Sequence, residues 1–236
     1  MVQKEEILSN VKLSQKYEKF GENFRYLTLN ELQKFMDVID NLNHKLMMRL
    51  IYESGCRVGE FVKIQLKHLD FNNNTVFFPA ENTKTKQKRT SNISKGLMND
   101  IKDFLKFKGL MTKRDEKIKN PEEYLFKSNM YTTSRKPITE NRVRQIFNKY
   151  IIKAGLNRIY GSDKLGRQLK KFTVHSLRHS HIMHYIHIYK LPVPIVQRQV
   201  GHKTLQATMT YCKPTDEMVK EQYEKARLNN QNIQNE

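Results

Sequence analysis

Four side chains suited to phosphodiester chemistry lie in one short segment near the end of the chain. His175 and Arg178 are three residues apart in a stretch, residues 174–189, that we expect to be helical, so both project from one face. His202 follows a glycine that we expect to end a short helix, and Tyr211 lies nine residues later. A guanidinium matches two phosphate oxygens, and a Tyr hydroxyl that loses its proton is a nucleophile. The segment predicts attack by Tyr211 on a phosphodiester.

A second arginine, Arg57, follows a glycine break in the sequence Gly-Cys-Arg-Val-Gly-Glu at residues 55–60. Glu60 lies three residues later on the start of a predicted helix, where its carboxylate can orient the guanidinium. A surface ion pair of this kind is common and contributes little to stability. The position of Arg57, between a glycine break and an apolar helix, favours a functional role.

Residues 70–94 have the pattern of β-structure around a basic connection. Three asparagines at 72–74 indicate a turn, residues 75–78 a strand and residues 90–94 its return strand. The connection, residues 83–89, carries four cations, which is typical of a solvated loop that seeks phosphate. One of these cations is available for chemistry.

Helical patterns predict the scaffold that must hold these residues. Thr28 and Glu31 fit a capping box before a helix with apolar spacing, and Thr139 caps another helix that ends near residue 155. The polar face of that second helix carries cations suited to phosphate contact: Arg142, Arg144 and Lys149. Residues 157–171 are a further basic loop or hairpin, and residues 215–228 a last helix.

The charge balance indicates a polyanionic partner. The chain has 236 residues, a net charge of +19 and a pI of about 9.8, yet it is 38% hydrophobic and can fill a core. A basic protein of the ribosomal type would show the same balance. The two cysteines form no Cys-x-x-Cys pair, the first residues contain no apolar run of signal-peptide length, and the sequence contains no apolar run of membrane-spanning length. We therefore expect a cytoplasmic protein without a membrane partner.

The order and local contexts of these residues resemble the tyrosine recombinase (phage integrase) family. The resemblance covers about residues 25–225 and rests on Gly-x-Arg-x-x-Glu, His-x-x-Arg-His, Gly-His and the Tyr nine residues after that His. It implies an α+β, mostly helical fold in which a small antiparallel β-sheet packs on a helical bundle. It also implies an active site, with Lys86 as the alternative lysine because the hairpin register is open: Arg57, Lys84, His175, Arg178, His202 and Tyr211.

In this chemistry Tyr211 attacks the scissile phosphate of double-stranded DNA and forms a 3′-phosphotyrosyl bond, so no ATP is consumed. Two arginines and His202 stabilise the phosphorane charge, His175 manages the Tyr proton, and Lys84 protonates the leaving oxygen. We expect no metal or other cofactor. The five histidines between 175 and 187 lack nearby Cys and carboxylate partners.

The expected organisation is an N-terminal arm (1–24), a catalytic domain (25–228) and a polar tail (229–236). Family members usually carry a separate N-terminal DNA-binding domain, so we expect a fragment, a minimal recombinase, or an accessory protein that completes the DNA clamp. The resemblance further implies a homo-oligomer, a tetramer on DNA, with contacts between protomers through residues 215–228. The alternatives are DNA relaxation of the type IB topoisomerase kind and a non-catalytic DNA-binding regulator.

Overall fold

The computed structural model describes residues 25–128, 136–162 and 168–212, together with residues 220, 223 and 224. The predicted arm, the polar tail and most of the predicted helix 215–228 lie outside these residues. The fold is mostly helical. The described helices are α1 (Leu29–Asp37), α2 (Leu42–Ser54), α3 (Val58–Phe61), α4 (Lys95–Phe107), α5 (Glu140–Lys153), α6 (Val174–Met183), α7 (Val193–Val200) and α8 (Leu205–Met209).

Local capping interactions begin several helices where the sequence predicts. The Thr28 side chain accepts a hydrogen bond from the Glu31 backbone N–H, and the Glu31 carboxylate accepts one from Thr28, so the capping box before α1 is present. Thr139 caps α5 in the same way, accepting from the backbone of Arg142. The predicted helix 174–189 is α6 followed by one π-helical segment, His184–Ile188.

Two small antiparallel sheets accompany the helices. The first has the order β1 (Leu69–Asp70), β2 (Thr75–Phe78), β3 (Arg89–Asn92), with Phe78 opposite Arg89. The second is a hairpin of β4 (Ile159–Ser162) and β5 (Gln168–Lys170), within the basic segment predicted as a loop or hairpin. The fold class predicted from the sequence is therefore confirmed: a small antiparallel sheet accompanies a helical bundle.

The core holds α2 between α4 and α6, and β3 packs against α7. The main apolar cluster runs from Leu27 to Leu177 and takes residues from α1, α2, α4, α5 and the three-stranded sheet. A second, smaller cluster covers the end of α6 and contains Tyr26, Ile182, Met183, Val196, Val200 and Tyr211. Tyr211 thus belongs to the core. None of the helices within the described ranges is long and apolar enough to cross a membrane.

Candidate active site

Arg178 is the buried centre of the candidate site. It lies on α6 with 4% of its surface exposed, and its Nη1 donates to the backbone carbonyls of Gly55 at 2.5 Å and Val200 at 2.8 Å. One guanidinium therefore joins the chain just before Arg57 to the chain just before His202. Its Nη2 is also buried and has no hydrogen-bond partner in the described part of the structure, so it has capacity for an anionic oxygen.

Burial, and then the charge of Arg57, lower the pKa of Arg178 to about 9, which still leaves a cation at neutral pH. A buried guanidinium with one unsatisfied nitrogen is costly in the absence of an anion. The geometry suits a phosphate that supplies both the charge and the missing acceptor.

Arg57 belongs to a network of two arginines around one buried carboxylate. It precedes α3, and its Nη1 donates to Glu60 Oε1 at 3.1 Å while its backbone N–H donates to Oε2 at 2.9 Å. Arg89 Nη2 donates to Glu60 Oε2 at 2.7 Å. Burial alone would raise the pKa of Glu60, but the charge and hydrogen bond of Arg89 and the bond from Arg57 hold it below its ordinary value. Glu60 is thus a buried, ionised anchor that orients Arg57.

Arg89 was counted in the sequence among the cations of a solvated loop, and this interpretation is wrong. Arg89 is the first residue of β3 and is buried, with its guanidinium carbon 4.2 Å from the centre of the Phe78 ring. Its Nε donates to the carbonyl of Gln199 at 3.3 Å. A Cβ at Gly201, where φ is +70°, would lie 2.6 Å from the Arg89 Cδ, so only glycine fits there. Arg89 therefore supports both Arg57 and the turn before His202.

Tyr211 is held at three points by histidines. Its hydroxyl lies 2.7 Å from His179 Nδ1, and its backbone carbonyl accepts a bond from His187 Nε2 at 2.6 Å. Its ring lies 6.1 Å from the His202 ring, centre to centre, with 24° between the planes. Burial raises the pKa of Tyr211, and the charges of Arg178 and Arg57 act in the opposite direction. The hydroxyl therefore lies within the field of both arginines.

His202 joins this arrangement from the turn after α7. Its Nδ1 lies 2.9 Å from the Thr208 hydroxyl, which orients the imidazole. Burial, followed by the charges of Arg178 and Arg57, lowers the pKa of His202 to about 4. A neutral imidazole can donate one hydrogen bond to a phosphate oxygen without bringing a further charge into an already cationic site.

His175 lies one helical turn before Arg178, as its spacing predicts, but its side chain is exposed to solvent. Partial burial of the ring and the charges of Arg178, Arg144 and Arg57 lower its pKa. Within the described ranges His175 makes no hydrogen bond, and the Tyr211 hydroxyl meets His179. Sequence reasoning gave His179 no role, although it directly follows Arg178 in the motif that was noted.

Lys84 and Lys86 lie on the hairpin tip, which we define as residues 83–88. The tip is closed by Thr83, whose hydroxyl accepts from the Gln87 backbone N–H at 3.1 Å and lies within hydrogen-bond distance of the carbonyls of Ala80 and Gln87. Both lysines are exposed, and in the part of the chain that is described neither makes a hydrogen bond or ion pair with the other candidate residues. The tip leads directly into the buried Arg89, so its base is anchored in the site. Its lysines are exposed to solvent. Lys84 stays a prediction.

No metal centre is evident in the described ranges, where no three His, Cys, Asp or Glu side chains lie together. Both cysteines are free.

Comparison with known proteins identifies the family of this chain. A family model described as the phage integrase family matches residues 25–218. The tyrosine recombinase XerA of Pyrococcus horikoshii is 30% identical over 202 residues, which are 86% of this chain and 61% of that protein. The crystal structure of a XerA recombinase superposes with a TM-score of 0.63 at 18% identity, covering 86% of this chain and 65% of that one.

A second structure, the Tn1549 transposon integrase in complex with transposon right end DNA, gives a TM-score of 0.64 at 16% identity. It covers 88% of this chain and 67% of that one. At these identities the superpositions establish the fold. The chain spans about three fifths of the length of the curated XerA relatives.

Proposed function

Because this chain belongs to the phage integrase family, we propose that it is a site-specific DNA recombinase that cuts and rejoins DNA through Tyr211. The single observation that carries the proposal is the convergence on Arg178. Its guanidinium binds the backbone before Arg57 and before His202, and its charge acts on Tyr211. Residues from four separate segments are thereby assembled around one unsatisfied guanidinium nitrogen.

The reaction divides into two transfers at one phosphorus. The Tyr211 oxygen forms a bond to phosphorus while the bond to the 5′-oxygen breaks, which leaves a 3′-phosphotyrosyl bond and a free 5′-hydroxyl. The 5′-hydroxyl of a partner strand then attacks the same phosphorus and releases Tyr211. The number of phosphoester bonds is unchanged, so no ATP is consumed, and protein side chains supply the charges and protons that the scheme uses.

Each of the other residues has one part in this scheme. Arg57, Arg178 and His202 neutralise the non-bridging oxygens as charge builds up on them. His175 contacts the phosphate or its flanking backbone from the exposed end of α6. Lys84, or Lys86 in the other register, gives its proton to the departing 5′-oxygen.

Double-stranded DNA is the proposed substrate. α5 carries the exposed cations Arg142 and Arg144, of which Arg144 pairs with Glu140, and the net charge is +19. We propose that protomers act as a tetramer on DNA, with residues 215–228 between them and an accessory protein available to complete the clamp. Two free cysteines suit the reducing cytoplasm that we propose as its compartment.

The proposal is tested with nicked suicide DNA, in which cleavage releases a short strand and traps the covalent adduct. The wild-type chain should form a protease-sensitive adduct, and Tyr211→Phe should form none while its DNA affinity is nearly unchanged. Tyr189→Phe is the matched control, since Tyr189 is an exposed tyrosine outside the site. An adduct with Tyr211→Phe would refute the proposal. Plasmid relaxation without exchange between two sites would indicate a topoisomerase instead.

A further inference from the structure

The reaction requires that the Tyr211 hydroxyl lose its proton as its oxygen bonds to phosphorus. We propose that His179 accepts this proton and is therefore a catalytic residue, an inference that rests on the proposed function. Its Nδ1 lies 2.7 Å from the Tyr211 hydroxyl oxygen, the reacting atom. The exposed His175, the expected candidate, makes no hydrogen bond among the residues that the structure describes.

Both partners of this contact are held by separate anchors. His179 directly follows Arg178, which is fixed by two backbone carbonyls, and precedes Ser180, whose hydroxyl donates to the carbonyl of Ser176 at 2.7 Å and accepts from the backbone of Leu27 at 2.8 Å. The bonds to Gly55, Val200 and Leu27 reach residues outside α6 and so fix the rotation of α6 about its axis. The Tyr211 backbone is held by His187, and the centre of its ring lies 5.8 Å from that of the His179 ring and 6.1 Å from that of the His202 ring.

The electrostatic surroundings keep His179 ready as an acceptor. Burial, and then the neighbouring His175 and Arg178, lower its pKa to about 4, so the imidazole is neutral at pH 7 and has one acceptor nitrogen. Among the described residues, the titratable and charged groups that face it include His175 and Arg178 from α6, and His202 and Tyr211 from the segment after α7.

The proton balance closes within this pair of residues. As the Tyr211 oxygen bonds to phosphorus, its proton moves to His179 Nδ1, and the imidazolium lies beside the negatively charged phosphate. An adjacent negative charge favours the protonated imidazole, so bound DNA raises the proton affinity that burial has lowered. When the strand is rejoined, the same nitrogen returns the proton to the departing Tyr211 oxygen.

The experiment measures the initial rate of adduct formation on nicked suicide DNA across pH, using the full chain. His179→Asn keeps an oxygen acceptor near the position of Nδ1 but cannot take up a proton. Its rate should fall by ~10²-fold or more, with unchanged DNA binding, and should rise in proportion to hydroxide concentration. Site-specific replacement of Tyr211 by a fluorinated tyrosine, which has a more acidic hydroxyl, should restore part of the rate.

His175→Asn is the comparison variant. It should also lower the rate, because we place His175 at the phosphate, but without a new dependence on hydroxide. The inference is overturned if His179→Asn cleaves at the wild-type rate, if its loss is independent of pH and of the fluorinated tyrosine, or if the hydroxide dependence appears in His175→Asn instead. If the wild-type chain forms no Tyr211-dependent adduct, the proposed function itself is wrong.

Discussion

The two sides of the candidate site are held in different ways. On one side, Arg178, Arg89 and Glu60 are buried. Arg89 bonds to Glu60, and both arginines bond to backbone carbonyls, at distances of 2.5–3.3 Å. On the other side, the hairpin tip presents Lys84 and Lys86 to solvent. The buried side is preorganised by the fold before any DNA arrives.

This difference separates two kinds of catalytic group. The buried arginines are placed to stabilise charge, which is effective when the donors do not reorganise. A proton donor on an exposed loop must instead be brought to the leaving oxygen, and phosphates on either side of the scissile bond supply the charge that attracts the hairpin tip. We therefore expect substitutions on the exposed side to slow cleavage, and substitutions on the buried side to lower the free energy of unfolding.

The largest predicted effect is on the rate of DNA cleavage when a lysine of the hairpin tip is replaced. Lys84→Ala should slow adduct formation by ~10²- to 10⁴-fold, while the free energy of unfolding changes by less than about 0.5 kcal/mol. DNA with sulfur in place of the bridging 5′-oxygen needs no acid and should restore the rate. Lys86→Ala is the matched control, two residues away on the same tip. If Lys86→Ala is the slow, sulfur-rescued variant, Lys86 is the acid.

The opposite pattern is expected for Arg89→Ala. Removing Arg89 takes away the buried cationic partner of Glu60 and leaves that carboxylate bonded only to Arg57 among the described residues, which costs about 3–5 kcal/mol of unfolding free energy. Chemical denaturation gives this value, with Lys88→Ala, an exposed neighbour, as the control expected to change it by less than about 0.5 kcal/mol. Equal stability of Arg89→Ala and Lys88→Ala would show that the buried network does not hold this side of the site.

Acid should destabilise the buried side through α6, the helix that carries Arg178, because His184 directly after it is buried, with its Nε2 2.9 Å from the Leu27 carbonyl and its Nδ1 2.9 Å from the Tyr52 hydroxyl. Burial lowers the pKa of His184 to about 4 from an ordinary value of 6.5, so below pH 6.5 the unfolded chain binds the proton more readily than the folded one. Stability should therefore fall as the pH drops from 6.5 towards 4, by about 1 kcal/mol between pH 7 and 5.5 for this residue. Denaturation of wild type and His184→Gln at both pH values checks it: the variant should lose less stability on acidification, and an identical loss would contradict the assignment.

The smallest effect concerns the outer cations. Arg142→Ala should reduce the slope of log affinity against log salt by about 0.9, the value for one lost phosphate contact, and leave cleavage at saturating DNA unchanged. Lys106→Ala is the control, because Lys106 is already paired with Glu116 at 2.6 Å. Equal slopes for Arg142→Ala and wild type would remove this face of α5 from the DNA interface.

Much of the fold follows from local sequence. The N-caps of α1 and α5 and the glycine that ends α2 near Arg57 are decided by contacts within a few residues, so Thr28, Thr139 and Gly55 mark helix boundaries that the structure confirms. The fold class, α+β with a small antiparallel sheet, was implied by the family resemblance.

The parts of the site that sequence reasoning missed depend on distant partners. Arg89 is buried because Glu60, 29 residues earlier, neutralises it, and nothing local distinguishes it from Lys88. His179 meets Tyr211 across 32 residues, a contact that only the packing of α6 against the segment after α7 creates. Residue type alone predicts that a cation is exposed. It cannot predict contacts between residues that are distant in the sequence.

The most direct test of the account is to locate the covalent DNA bond. After trapping on nicked DNA and digestion with trypsin and nuclease, mass spectrometry should find the remaining nucleotide on the peptide that begins at Thr204, in which Tyr211 is the only tyrosine. The account predicts a nucleotide bound through its 3′-phosphate to Tyr211. A nucleotide on any other residue, or its attachment through a 5′-phosphate, would contradict it.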